Sequence, residues 1–259
     1  MEDIIEIKNV YKRYKRRVQE EELKSYIKGL FIRKYDYVES IKNLSLNIKQ
    51  GEMVALIGPN GAGKTTLIKI LTGLIRPTSG TVKVLNKNPN KKDNQFLKDI
   101  SVILAQKNQL WWDLSPIESF KLNQKIYQID EKKFQNTLDE LVNLLEVKSI
   151  LNSPVRNLSL GERMKCEIIA CLLHEPKIIF LDEPTIGLDI VAKKNIREFI
   201  KSYCKKNEIT VILTSHLIED ITSICERILI LKKGQIVYDG AKADLTNDQT
   251  KDLIEKIYA

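Results

Sequence analysis

The amino-acid sequence predicts an α/β fold built on a largely parallel sheet, and three observations support this prediction. Several apolar segments run without alternating with polar residues, as strands do in parallel sheets covered on both faces. Segments of helical periodicity lie between them. Four of the predicted strands are followed by polar groups, namely a glycine-rich loop, Gln106, Asp182 with Glu183, and His216. Because ligands bind at the carboxyl ends of parallel strands, these groups predict one shared site.

The glycine-rich loop follows an apolar strand at residues 53–57 and precedes a helical pattern that starts at Leu67. It matches G-x-x-x-x-G-K-[ST], the P-loop, whose backbone N–H groups bind phosphate oxygens. Lys64 supplies a positive charge for the β- and γ-phosphates, and the Thr65 hydroxyl is placed to bind Mg²⁺. The predicted nucleotide-binding residues of the loop are Gly58, Pro59, Asn60, Gly61, Ala62, Gly63, Lys64, Thr65 and Thr66.

Three further residues are predicted to carry the chemistry. Asp182 ends an apolar strand, and its carboxylate is expected to bind Mg²⁺ opposite Thr65. Glu183 follows directly and suits a general base that polarises a water beside the γ-phosphate. His216 is expected to contact the γ-phosphate and that water. The other histidine, His174, lies at a predicted helix end and is interpreted as structural.

The remaining elements define the predicted domain boundaries. Residues 1–108 and 174–240 form a nucleotide-binding core, with strands at 4–10, 38–48, 81–85, 100–105, 177–181 and 210–215, a helix at 191–205 and a hairpin at 228–238. Residues 109–173 show helical periodicity and predict an inserted helical subdomain. Residues 241–259 form a polar tail, and the whole chain, 1–259, is interpreted as a single domain.

An amphipathic helical insert is predicted at residues 15–37. Its apolar positions recur at helical spacing: Leu23, Tyr26, Ile27, Leu30 and Phe31. The apolar face either packs on the domain or lies at a membrane interface or against a membrane partner.

A second polar motif begins at Leu158 and ends at Glu162. Ser159 and Glu162 form a capping box, in which Ser159 caps a helix and Glu162 reaches back to it. A helix start with Ser159 and Gly161 also suits an anion. Since the motif is distant from the P-loop in sequence, the phosphate it binds is expected to belong to a second copy of the chain.

Composition limits the class of protein. The net charge is +8, with 42 Lys and Arg against 34 Asp and Glu. No nucleic-acid-binding motif accompanies this charge, so a solvated basic surface, or one facing anionic lipid, is favoured. No apolar run approaches the length of a membrane span, and no secretory signal is expected. The four cysteines lack C-x-x-C spacing and are expected to be buried thiols in a reducing cytosol.

In order and spacing, these motifs resemble the ATP-binding subunits of ATP-binding-cassette (ABC) transporters. The resemblance covers residues 4 to about 240. Residues 106–114 and the N-terminal insert look like those of a bacterial export-type subgroup, whose subunits work with separate permeases. The resemblance implies a RecA-like P-loop NTPase core with an antiparallel β subdomain. It also implies ATP and Mg²⁺ as cofactors, an ATP-sandwich dimer with an identical or paralogous subunit, and a multi-span membrane permease as partner. The implied location is the cytoplasmic face of the cell membrane.

The resemblance also implies individual roles. Tyr14, or alternatively Tyr11, stacks on adenine, Gln106 senses Mg²⁺ and the attacking water, and Ser159 with Gly161 completes the partner's site. Asp189 lies at the dimer interface. Two residues depart from the family pattern: Leu160 replaces a glycine and Glu162 replaces a glutamine.

Trp111 and Trp112 either pack in the core or offer a docking surface for the permease. The alternative function is a soluble ABC-type ATPase that acts on nucleic acid or ribosomes. A P-loop kinase or GTPase would leave the motif at 158–162 and His216 unexplained.

Overall fold

The computed structural model describes residues 2–17, 35–104 and 109–242. The described residues form two sheets. A three-stranded antiparallel sheet has the order β2-β1-β4, and a six-stranded sheet has the order β5-β6-β7-β3-β8-β9. The strands are β1 (Asp3–Arg17), β2 (Tyr35–Lys49), β3 (Met53–Ile57), β4 (Ser79–Val84), β5 (Ile100–Leu104), β6 (Ile178–Asp182), β7 (Thr210–Thr214), β8 (Arg227–Lys232) and β9 (Gln235–Ala241).

Seven α-helices connect and cover these strands within the described residues. They are α1 (Lys64–Leu71), α2 (Asn94–Asp99), α3 (Pro116–Tyr127), α4 (Glu131–Leu145), α5 (Leu160–Leu172), α6 (Ile190–Lys206) and α7 (Ile218–Ile224). Short 3₁₀ helices span Pro89–Lys91, Lys148–Ile150 and Val155–Asn157. No described helix is both long and apolar enough to cross a bilayer.

The predicted parallel sheet is confirmed. Strands β5, β6, β7, β3 and β8 pair in parallel, and β9 closes the edge antiparallel to β8. The apolar strands bury both faces because successive side chains point to opposite sides. Met53, Ala55 and Ile57 enter the core cluster that includes α3 to α6, whereas Val54 and Leu56 enter the cluster beneath the antiparallel sheet. The P-loop therefore begins at the end of a strand that is buried at every position and paired on both sides.

The helical region at 109–173 contains α3, α4 and α5 and contributes no strand. This region does not have a hydrophobic core of its own. The buried apolar residues of α5, which are Cys166 and residues 168–172, belong to the same apolar cluster as β3, β6 and β7. The helix that carries the motif at 158–162 is therefore anchored in the nucleotide-binding core.

The predicted insert at 15–37 has wrong boundaries. Lys15 to Arg17 belong to β1 and pair with Tyr37, Asp36 and Tyr35 of β2. The two antiparallel strands are thus longer than the sequence pattern predicts. The pattern misses their ends because apolar and polar residues alternate only weakly in these exposed, charged segments. The proposed apolar helix face, Leu23 to Phe31, lies outside the described residues, as do most of the tail at 241–259 and Gln106.

The four cysteines are free and buried, as predicted. Burial raises the pKa of the Cys166 and Cys171 thiols to about 12. His174 is also structural. Its ring stacks on Tyr127 at a centroid distance of 3.9 Å, and its Nε2 lies 3.1 Å from the Ile100 carbonyl oxygen. Burial lowers the His174 pKa to about 4.

Candidate functional site

A cleft of about 740 Å³ opens at the carboxyl ends of β3, β6 and β7. The P-loop, both strand-end carboxylates and the predicted histidine line it together. The lining residues are Ser40, Asn60, Gly61, Ala62, Gly63, Lys64, Thr65, Thr66, Asp182, Glu183, Ile186 and His216. The prediction that these strand ends share one site is therefore confirmed for the three of the four that the structure describes.

The loop can form because two of its glycines lie against backbone. A Cβ on Gly58 would approach the Leu231 carbonyl oxygen to 2.0 Å, and one on Gly63 would approach the Ser40 carbonyl oxygen to 2.4 Å. Both glycines have positive φ, 153° and 112°. The chain turns closely enough for Leu67 N to donate to Gly63 O at 2.9 Å, which begins α1.

Lys64 is the positive charge of the cleft. Its Nζ donates to the Gly58 carbonyl at 2.5 Å and to the Pro59 carbonyl at 3.2 Å. Burial lowers the Lys64 pKa, and the nearby Glu183 and Asp182 carboxylates act in the opposite direction. Pro59 contributes its carbonyl oxygen to the loop and is absent from the cleft lining.

The two carboxylates at the end of β6 have different hydrogen-bond partners. Asp182 accepts a hydrogen bond from the Thr214 hydroxyl at the end of β7. Glu183 adopts a left-handed backbone conformation with φ of 55°, and its N–H donates to the Thr214 carbonyl at 3.0 Å. Since such a conformation is strained for a residue with a side chain, the neighbouring strand must hold Glu183 in place.

Glu183 and His216 are in direct contact. The His216 Nδ1 lies 2.9 Å from a Glu183 carboxylate oxygen, and the His216 backbone N–H donates to the same oxygen at 3.4 Å. About half of the His216 side chain is exposed, against 18% for Glu183. The pair therefore combines a shielded carboxylate with an imidazole that reaches into the open cleft, an arrangement suited to handling a proton beside a phosphate.

The cleft also contains residues that the motifs do not reveal. Ser40 of β2 donates to the Thr66 hydroxyl at 2.8 Å, and Ile186 lies on its rim. Ser40 precedes the P-loop by some twenty residues, and no sequence signal marks it. The sequence marks Thr214 only weakly, as a polar residue at the end of a strand. Its contact with Asp182 can be predicted only if β7 is known to lie beside β6.

The structure separates the remaining predicted residues from this cleft. Ser159 caps α5, where its hydroxyl donates to the Glu162 carboxylate at 2.7 Å and accepts from the Glu162 N–H at 3.3 Å, so the predicted capping box is confirmed. Neither Ser159 nor Gly161 lines the cleft. Tyr14 lies on β1 opposite Val38 and is also absent from the lining, and Tyr11 pairs with Ser79.

The tryptophans are on the surface. Trp111 is 61% exposed and Trp112 is 48% exposed, so packing in the core is excluded for both. The Arg163 guanidinium of α5 lies 5.5 Å from the Trp112 ring centroid.

The fold and the cleft define a P-loop nucleoside triphosphatase. A sequence profile described as "ABC transporter" matches residues 41–186. The chain belongs to the ABC transporter family, as an ATP-binding subunit that hydrolyses ATP.

Individual relatives agree with this assignment. The bacitracin transport ATP-binding protein BcrA of Bacillus licheniformis is 34% identical over 78% of this chain, which covers 65% of BcrA, less than two thirds of its length. The lantibiotic transport ATP-binding protein SrtF of Streptococcus pyogenes is 33% identical over 83% of this chain and 92% of its own. A dimeric ATP-binding cassette solved in a post-hydrolysis state with ADP and Pi is 27% identical, with a TM-score of 0.74 over 92% of this chain and 98% of its own. Since these relatives are transport proteins and cassettes, action on nucleic acid or ribosomes is not favoured.

Proposed function

We propose that this subunit hydrolyses ATP in the cleft through Glu183 and His216, and that it powers export through a separate membrane permease. The observation that carries the proposal is the contact between these two side chains at the carboxyl ends of adjacent strands, facing the P-loop. In the proposed mechanism, the P-loop amides and Lys64 bind the phosphates, and Glu183 accepts a proton from the attacking water. His216 orients the base and contacts the γ-phosphate.

The residues present suit Mg²⁺. Thr65 and Asp182 line the same cleft, and hydroxyl and carboxylate oxygens are the ligands that Mg²⁺ prefers. The Thr214 hydroxyl occupies one Asp182 oxygen and thereby fixes the orientation of the carboxylate. Bound Mg²⁺ would supply charge neutralisation on the phosphate oxygens. Gln106 is proposed as a further ligand and as the sensor of the attacking water, although it lies outside the described residues.

Two copies are proposed to close on two ATP molecules. Ser159 and Gly161 lie outside the cleft of their own chain, which is the placement that a contribution to a partner's site requires. Leu160, 38% exposed, and Ile190, 84% exposed, flank this surface and offer apolar area for the contact. Asp189 caps α6 by accepting from the Ala192 N–H at 2.8 Å, and is proposed to lie at the same interface. Tyr14, or Tyr11, is proposed to stack on the adenine ring.

The permease is proposed to dock on Trp111 and Trp112, since exposed aromatic side chains supply much of the binding energy at protein interfaces. This contact would place the subunit at the cytoplasmic face of the membrane. The resemblance favours export over import, and two of the relatives are named for the transport of bacitracin and of a lantibiotic.

The test is co-purification. We expect the full chain, expressed in its own host with an affinity tag, to pull down a multi-span membrane protein from detergent extract. Replacing Trp111 and Trp112 with Ala should abolish this capture, whereas Val237→Ala, another exposed apolar residue, should retain it. Recovery of the chain with ribosomes or DNA, and without a membrane protein, would refute the transport role.

A further inference from the structure

A buried polar cluster lies behind the contact between Glu183 and His216. Its centre is Asp220 of α7, whose side chain is fully buried. One Asp220 oxygen accepts hydrogen bonds from the hydroxyls of Thr185 and Ser215, the latter at 2.7 Å. The other accepts from Nε of Arg197 of α6 at 2.5 Å. One carboxylate thus joins four separate elements of the chain.

The two hydroxyls belong to the two loops that carry the proposed catalytic residues. Thr185 follows Glu183 by two residues in the loop between β6 and α6. Ser215 directly precedes His216 in the loop between β7 and α7, and its hydroxyl also accepts from the Leu217 N–H at 3.0 Å. Both side chains are buried, at 1% and 0% exposed. Asp220 therefore binds each loop within two residues of Glu183 or His216, the side chains that line the cleft.

A buried carboxylate is retained only where its hydrogen bonds are satisfied, because an unpaired buried charge strongly destabilises a protein. Here every partner of Asp220 comes from a different segment, so moving one loop would break a charge-assisted hydrogen bond. The strained backbone of Glu183, with φ of 55°, needs such external support. The hydrogen-bonded group of Asp220, Thr185 and Ser215, here called the buried joint, therefore connects the two loops that carry Glu183 and His216.

We propose that Asp220, through Thr185 and Ser215, is a positioning residue that sets the distance between Glu183 and His216 for hydrolysis. The inference rests on the proposed roles of Glu183 and His216. Asp220 itself does not line the cleft and contacts neither nucleotide-binding nor reacting groups. Its effect is on the placement of the base, and misplacement of reacting groups by about 1 Å typically lowers a rate about 100-fold.

The principal test is Thr185→Val, which removes the hydroxyl and keeps the branched shape. We expect kcat for ATP hydrolysis by the purified full chain to fall at least about tenfold. The Kd for ATP, measured with a fluorescent analogue, should stay within about twofold, because Thr185 lies outside the phosphate-binding loop. Thr185→Ser retains the hydroxyl and should restore most of the rate.

The matched control is Glu219→Gln. Glu219 contacts the same Arg197 at 2.9 Å, but its side chain is 79% exposed and does not reach the buried joint. This variant should hydrolyse ATP at the wild-type rate. In a double-mutant cycle, adding Thr185→Val to Glu183→Gln should cause little further loss, since the placement of an absent base no longer matters.

Three outcomes would overturn the inference. The first is a normal kcat in Thr185→Val while Glu183→Gln is inactive. This result would support Glu183 as the base and refute a positioning role for Asp220. The second is an equal loss of kcat, ATP binding and thermal stability, which indicates a purely structural cluster. The third is full additivity in the double-mutant cycle, in which Thr185→Val lowers kcat by the same factor in the Glu183→Gln background as in the wild type. If Thr185→Val does not fold, Ser215→Ala removes a donor from the same carboxylate and has the same expected results. Normal hydrolysis in Glu183→Gln alone would instead refute the proposed function.

Discussion

Replacing Glu183 with Gln removes the proposed base and leaves its surroundings nearly unchanged. The glutamine is isosteric, and its carbonyl oxygen can still accept from the His216 backbone N–H, as the carboxylate does at 3.4 Å. The left-handed backbone and its hydrogen bond to Thr214 are unaffected by the substitution. The variant should therefore fold as the wild type does and still bind ATP, while its side chain can no longer accept a proton.

The size of the effect follows from the role assigned to the carboxylate. General-base catalysis contributes a factor of about 10² to 10⁴. This corresponds to about 3–5 kcal/mol of transition-state stabilisation. Loss of one negative charge beside Lys64 and the phosphates would also strengthen ATP binding modestly, because that carboxylate lies in the same cleft. ATP should then persist in the site, and a nucleotide-bound dimer should accumulate.

The assay combines single-turnover hydrolysis of radiolabelled ATP with size-exclusion chromatography in the presence of Mg²⁺ and ATP. Glu198→Gln is the matched control, since Glu198 lies on α6 with a side chain that is 66% exposed and makes a 3.9 Å ion pair with Lys194. The control should behave as the wild type. Hydrolysis by Glu183→Gln at a rate near the wild-type value would show that Glu183 is not the base.

Four other substitutions test three separate features. Gly58→Ala places a Cβ 2.0 Å from a carbonyl oxygen and should lower the free energy of unfolding by about 3 kcal/mol. Gly61→Ala meets open space, but because its φ is 79° it should still lower this free energy by about 1–2 kcal/mol. Urea denaturation measures both changes. Ser159→Arg should block hydrolysis while each chain still binds ATP, and normal turnover would reject a composite site. Burial lowers the pKa of His174 to about 4 in the folded chain, whereas its ordinary value is about 6.5. The unfolded chain therefore binds this proton first as the pH falls. The free energy of unfolding should decrease by about 3 kcal/mol as the pH is lowered from about 6.5 to about 4. This loss should be absent in His174→Phe, as followed by unfolding at each pH.

The sequence predicted the cleft because its chemistry lies in local motifs. Glycine spacing, an apolar strand and a following polar residue can each be read within a few positions of the P-loop, Asp182 or His216. The strand order was not predicted, since the placement of β3 between β7 and β8 depends on pairing between segments more than 150 residues apart. Ser40 and Asp220 were missed for this reason.

Short elements were also missed. Helices α2 and α7 have six and seven residues, fewer than two turns, so they show no helical periodicity that a sequence window can detect. Conversely, the pattern at 15–37 was assigned to a helix over positions that the structure places in β1 and β2 at both ends. Cross-strand pairing of exposed, charged residues such as Lys15 and Asp36 leaves no alternation of apolar residues to identify it.

The charges of the cleft support a site that is completed by other groups. Its described lining contains one lysine, Lys64, and two carboxylates, Asp182 and Glu183. A nucleoside triphosphate adds several further negative charges, so this lining alone leaves an excess of negative charge near the γ-phosphate. Mg²⁺ at Thr65 and Asp182 would offset part of it. A helix start such as that of α5, brought by a second subunit, would offer N–H groups and the positive end of a dipole without adding a titratable base. Glu162 would oppose this contribution, but its carboxylate is already bound by the Ser159 hydroxyl and backbone N–H, which lowers its pKa and turns it back toward its own helix. The departure from the family pattern at Glu162 is therefore compatible with the proposed contact of Ser159 and Gly161 with phosphate.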